Sequence, residues 1–278
     1  MGTSSSYRGP KSGLIPSWLD EPATDGADDQ SPDEVNGDAD GSEADAEPQQ
    51  MTMQPTPTLQ AVRSNYTRFA NSQDERALGR AMRGYVASTG GSGGAARRMG
   101  SSSRSAAGVA SFANAFATGG PAEALAKFNL SDHAGRPAIE VLGALAEILC
   151  PDGGTIDEAI ARDAMLEALV IFADQDLGDF ESLTVDQLGD FLIEVITQSI
   201  VTKVVNDIGY GSLHGSASDT DYRQAQDVLT DYTKGAVEDS IGSQFDPAQT
   251  LTDRQIQDKI AEVYEDAFAL LEVILEDM

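Results

Sequence analysis

The chain has 278 residues, 40% of them hydrophobic, and a formal net charge of −28. That length holds one or two domains and allows a real core over part of the chain. The charge argues against a protein that coats nucleic acid or an anionic membrane, both of which it would repel.

The charge is unevenly spread. Residues 1 to 60 carry 12 acidic and 2 basic side chains, residues 61 to 110 carry 2 and 8, and residues 111 to 278 carry 32 and 8. The single cysteine, Cys150, excludes an intrachain disulfide and a cysteine-built metal cage. The amino terminus lacks the continuous apolar segment of a secretory signal, and no run approaches the ~20 apolar residues needed to span a bilayer. A cytoplasmic protein without a membrane span is the expectation.

At the start, Gly2 is small enough for Met1 to be removed, which leaves a free α-amine followed by the compact Thr3, Ser4, Ser5 and Ser6. An α-amine has a pKa near ~7.7–8.0 against ~10.4 for lysine, so far more of it is neutral and nucleophilic at neutral pH. Met-Gly-x-x-x-Ser also matches the short myristoylation pattern, which recurs often by chance. Leu14, Ile15, Trp18 and Leu19 then form an apolar cluster around Pro16, and Trp18 is the one tryptophan of the chain. A tryptophan supplies much contact area for few rotatable bonds, which suits a linear motif that docks into a partner's pocket. The alternative is that the cluster folds back on the chain's own core.

Residues 20 to 50 are Asp, Glu, Gly, Ala and Pro with scarcely an apolar side chain, and they bury too little surface to offset ordering entropy. This predicts a disordered acidic tail over 1–56. Helical spacing begins with Leu59, Val62, Tyr66 and Phe69, and a second helix is expected from Asp74 to Ala87 with Leu78, Met82, Tyr85 and Val86 on one face. The glycine and serine run after Thr89, which includes Arg97, Arg98 and Arg104, reads as a flexible segment. Residues 57–118 are thus expected to form a basic helical hairpin with a Gly/Arg-rich loop.

Helical pattern resumes over 105 to 117, stops at Gly119 and Gly120, and restarts at Pro121 as far as Phe128. Further helices are expected at 137–149, 156–173, 185–208, 219–240 and 252–276. In the last, Ile256, Ile260, Val263, Ala267, Leu270 or Leu271, and Ile274 form one stripe, and Thr252 with Gln255 makes a capping box. Residues 119–278 are expected to be an acidic helical bundle, so the fold class is all-α behind a long tail.

Chemistry is sparse. Gly90 to Gly100 lacks the lysine and the preceding strand of a phosphate-binding Walker loop. Its arginines, with Arg63, Arg68, Arg76, Arg80 and Arg83, form either a docking patch for acidic surfaces or DNA, or the counter-charge of the chain's own acidic helices. Asp174, Asp176, Asp179 and Glu181 do not match the spacing of an EF-hand and fit a solvated turn. His133 and His214 lie in no ligand-spaced cluster, and Cys150 precedes Pro151 with no neighbouring histidine. The reading is of a non-enzyme with no metal and no cofactor.

Three stretches, MGTSSS at the start, LIPSWLD after a Gly/Pro spacer, and the central RALGRAMRGYVASTGGSGGAARRMGSSSRSAAG, together resemble the QatB family of bacterial anti-phage defence. The likeness is closest over residues 1 to 20 and 63 to 116. It implies a four-gene Qat system with an ATPase (QatA-type), a QueC-like enzyme (QatC-type) and a TatD-like nuclease (QatD-type) as partners. QueC enzymes activate a deazaguanine carboxylate with ATP and deliver it to a nitrogen nucleophile, so the Gly2 amine becomes the expected acceptor. Thr3 to Ser6 would thread the partner's channel, and Leu14, Ile15, Trp18 and Leu19 would anchor outside it. Two other roles stay open: an unmodified adaptor that holds the ATPase or DNA through Arg97, Arg98 and Arg104, and an inhibitor whose tail plugs a partner's active site.

Overall fold

The computed structural model describes residues 58–175, 177–209, 218–244 and 251–274. Among them are nine α-helices and no strand: α1 (Leu59–Ser72), α2 (Glu75–Ser88), α3 (Ser92–Arg97), α4 (Gly100–Lys127), α5 (Ala138–Leu149), α6 (Ile156–Ala173), α7 (Val185–Ile208), α8 (Asp219–Gln244) and α9 (Asp253–Ile274). Short 3-10 turns at Ser131–His133 and Phe180–Ser182 join α4 to α5 and α6 to α7. The all-α expectation holds for these residues. The tail of residues 1–56 lies outside them.

Local chemistry explains most boundaries. Asp74 caps α2 by accepting from the Arg76 N–H at 3.2 Å. Thr155 with Glu158 and Thr184 with Gln187 form complete capping boxes at the starts of α6 and α7. The box expected at α9 is present, with the Thr252 N–H donating to Gln255 Oε1 at 2.9 Å and the Gln255 N–H returning to Thr252 Oγ1 at 3.4 Å. Within α4, Gly120 takes φ 82°, a left-handed conformation open to glycine, and Pro121 starts the second limb. The break expected from Gly119, Gly120 and Pro121 is therefore where the sequence places it.

The glycine and serine run is a correction. It carries α3 and the first turns of α4 instead of a flexible segment. Gly90 and Gly91, at φ 93° and 81°, turn the chain out of α2. At Gly94 a Cβ would run into the Thr89 carbonyl, and at Gly93 one would sit 3.0 Å from Glu265 Oε1 on α9. Ala95 and Met99 are buried beside them. Glycine here permits close approach and does not loosen the chain.

The described residues belong to one compact unit whose core runs through every helix. α1 packs on α2, α6 on α7, and α8 on α9, while α7 also meets α1, α4 and α8, and α4 also meets α9. Stripes legible in sequence point inward: Val62, Tyr66 and Phe69 on α1; Leu78, Met82, Tyr85 and Val86 on α2; Ile256, Ile260, Val263, Ala267 and Leu271 on α9. Helix α7 differs: over residues 191–204 it is enclosed nearly all round, while Val185, Asp186, Asp190 and Asn206 towards its ends are exposed. Its polar Glu194, Thr197, Gln198, Ser199 and Lys203 are enclosed along with its aliphatic residues.

Candidate functional site

Gly2, Thr3, Ser4, Ser5, Ser6, Leu14, Ile15, Trp18 and Leu19 lie outside the described residues. Of the residues singled out in the sequence for docking, Arg97, Arg98 and Arg104 are described, and all three are exposed. They face different neighbours. Arg98 points to Asp207 near the end of α7, at 3.7 Å. Arg104 folds back along α4, donating from Nε to the Gly100 carbonyl at 3.3 Å and from Nη2 to Ser101 Oγ at 3.2 Å. Arg97 closes α3, where its guanidinium lies beside Gly93.

Part of the arginine set neutralises the chain's own charge. Arg80 pairs with Asp74 at 3.6 Å, and Arg63 Nε donates to the Ile208 carbonyl at 2.5 Å, satisfying an end group of α7. Around Asp207 the structure builds a network. The carboxylate accepts from the Tyr85 hydroxyl at 2.9 Å and pairs with Lys203 at 3.3 Å, and Lys203 also reaches Asp157 at 3.0 Å. Burial pushes the Tyr85 hydroxyl far above the usual tyrosine range, and the negative charge of Asp207 adds to the effect. A phenol so held is a fixed donor, and cations gathered at the carboxyl end of α7 complement its dipole.

A second polar centre lies midway along α7. Glu194, 3% exposed, accepts from Gln198 Nε2 at 2.7 Å and from Lys234 Nζ of α8 at 3.2 Å. Above it is a cavity of about 230 Å³ that Phe172, Asp190 and Glu238 help to line. Neither this centre nor the Asp207 network was found from the sequence, because their members come from helices far apart in the chain. The available signal was charged and amide residues at positions of α7 that an amphipathic helix would give to the core.

Cys150 forms the floor of a groove of about 370 Å³ between the start of α4 and the start of α6, with Arg104, Ile148, Asp152 and Glu158 around it. Its thiol donates to Ser105 Oγ at 3.1 Å, and its carbonyl accepts from Arg162 Nη1 at 2.5 Å. Burial pushes the thiol pKa up, which is the reverse of what an attacking thiolate requires. Arg162 is held by Glu147 at 2.8 Å and Asp152 at 3.3 Å, so the Asp152 carboxylate that lines the groove is already paired.

The acidic turn after α6 holds the fold together at α5. Glu181 Oε1 accepts from the Gly135 N–H at 2.7 Å, the Gly178 carbonyl from the Ala138 N–H at 3.0 Å, and the Arg136 carbonyl from the Phe180 N–H at 3.0 Å. Asp176 and His214 are outside the described residues, and among those described no group of His, Cys, Asp or Glu is arranged to hold a metal ion. None of the described helices is long and apolar enough to cross a membrane.

Comparison with known proteins gives one finding. A family model described as "Qat anti-phage system associated protein QatB" matches residues 90–271, which takes in α3 through most of α9. No curated protein and no solved structure matches the chain. The match covers well over half of the sequence and includes the glycine run, the enclosed middle of α7 and the capped start of α9. The chain belongs to the QatB family and is a component of the Qat anti-phage system.

Proposed function

We propose that this QatB protein is a non-catalytic, cytoplasmic substrate and scaffold for a QueC-like partner enzyme. After loss of Met1, the Gly2 α-amine enters the partner's active site and attacks the ATP-activated carboxyl carbon of a deazaguanine. An amide bond forms, the activating group leaves, and the amine nitrogen loses a proton. The observation that carries this reading is the pairing of family membership with a small-residue tip, Gly2 to Ser6, whose amine is more nucleophilic at neutral pH than any lysine. Leu14, Ile15, Trp18 and Leu19 anchor outside the channel, and the acidic stretch that follows supplies reach. The helical body then docks other components, the ATPase and the TatD-like nuclease among them.

Mass spectrometry of the amino-terminal peptide tests this directly, on protein made with and without its neighbouring genes. A partner-dependent mass increase on a peptide beginning at Gly2 is expected, lost in Gly2→Leu. An unmodified, Met1-free tail in both samples would refute it.

A second reading rests on Arg97 and Arg98, exposed at the end of α3, with the Arg98 side chain half open to solvent despite its contact with Asp207. An unmodified adaptor would use them to hold the ATPase or DNA. A salt-sensitive interaction lost in Arg97→Ala/Arg98→Ala, with the tail unmodified, would favour it.

A further inference from the structure

The outer face between the last turns of α8 and α9 has a feature that the tail and the arginines do not explain. A groove of about 450 Å³ runs there, floored by Ala269, Leu270 and Val273 and edged by Asp239 and Asp266. Val273 is 55% exposed, in a helix whose inner stripe is fully buried. The floor asks for no hydrogen bond, since the edge hydroxyls are satisfied within α8: Ser240 donates to the Ala236 carbonyl at 2.7 Å and Ser243 to the Ser240 carbonyl at 2.8 Å. Asp266 accepts from Gln244 Nε2 at 3.0 Å, a neutral donor that orients the carboxylate without cancelling its charge. Among the described residues no basic side chain lines the groove.

Along α9 the exposed edge is graded. Glu262, Asp266, Ala269 and Val273 succeed one another at helical spacings of four, three and four, acidic at one end and apolar at the other. A complementary ligand carries an apolar end for Ala269, Leu270 and Val273, with cations one or two turns away for Asp266 and Asp239. A helix presents that pattern naturally and fits the groove between two others. A second copy using the same face in a two-fold pair would bring the same acidic edges and no cation among these lining residues to answer Asp239 and Asp266. Nucleic acid would meet the same repulsion.

We infer that this groove is a docking site for a basic amphipathic helix of a partner protein. The inference goes beyond the tail reading and does not rest on it.

The test uses the full chain and a fluorescein-labelled peptide of leucine and lysine, with leucines at i, i+3, i+4 and i+7 on one face, followed by anisotropy at physiological salt. Val273→Asp and the double variant Asp239→Asn/Asp266→Asn should each weaken binding about tenfold or more, while Val170→Asp, on the exposed side of α6, should leave it unchanged. Unaltered circular dichroism and melting of the variants keep the comparison valid. Val273→Asp is diagnostic because it adds negative charge: attraction to net charge alone would make that variant bind equally well or better, which would overturn the proposal. Absence of peptide binding would overturn it too. So would a dimer in light scattering that Val273→Asp converts to a monomer, since the face would then belong to a second copy.

Discussion

Lys203 shows how one side chain can hold several helices. Its ammonium, 9% exposed, lies between Asp157 of α6 and Asp207 of α7, and Asp207 also takes the Tyr85 hydroxyl of α2. Lys203→Met keeps the apolar stem and removes the charge, leaving Asp207 with the more distant Arg98 as its cation. The expected cost is about 2 kcal/mol, because a partly enclosed carboxylate loses its nearest counter-charge. A urea unfolding midpoint lowered at unchanged slope would confirm it. Asp253 supplies a pH-dependent counterpart. Hydrogen bonds from Lys127 and Ser111 hold its carboxyl below the usual aspartate range. A carboxyl whose folded pKa is lowered stabilises the fold above its unfolded value, and that stabilisation is lost as pH falls through the folded value. The loss therefore begins near pH ~4 and continues below it. Asp253→Asn should flatten the acid limb of the melting temperature over that window and lower the melting temperature slightly at pH 7. An acid limb identical to that of the parent would refute the assignment.

At the scale of the element, glycine is the instructive residue. The run after Thr89 has the composition of a linker, yet a Cβ at Gly94 would strike the Thr89 carbonyl, so the missing side chain lets α3 fold back on the end of α2, and Gly93 lies beside Glu265 of α9. Gly94→Ala should destabilise the protein by about 1 to 3 kcal/mol through overpacking, where a flexible linker would gain slightly from alanine. Thermal melting decides between the two signs. Thr252→Ala, which removes the cap of α9, should cost about 1 kcal/mol by the same measurement. These cases mark what sequence could reveal. The α9 stripe, its cap and the break at Gly120 are local, and each was readable from a few neighbouring residues. The glycine run was misread because composition alone does not separate slack from tight contact. Glu194 with Lys234, and Asp207 with Tyr85 and Lys203, were invisible because each joins residues distant in the chain. For the candidate tip at Gly2 the reverse is true: its argument is chemical and local, and it stands on sequence.

For the whole molecule the governing quantity is the net charge of −28, which repels itself in the compact state. Raising ionic strength from about 0.01 to 0.15 M shortens the screening length from about 30 to 8 Å. The melting temperature should therefore rise by several degrees with added sodium chloride, despite weakening of the surface ion pairs. A flat or falling trend would mean that the pairs at Asp207, Glu194 and Asp253 outweigh the repulsion.

Helix α7, enclosed by α1, α4, α6 and α8, has a further consequence for how the molecule is made. Over residues 191–204 this helix is enclosed nearly all round and has little partial shelter to wait in: until its neighbours arrive from both sides of the sequence, its inner aliphatic residues and its buried Glu194 and Lys203 stand in water. Helix α8 must therefore be in place before this centre closes, and the amides of the centre should be the last to exchange with deuterium, opening only when the whole body opens. Ribosome-bound fragments that end before α8 would expose α7, so the body is born dependent on the hairpin of α8 and α9 that follows it.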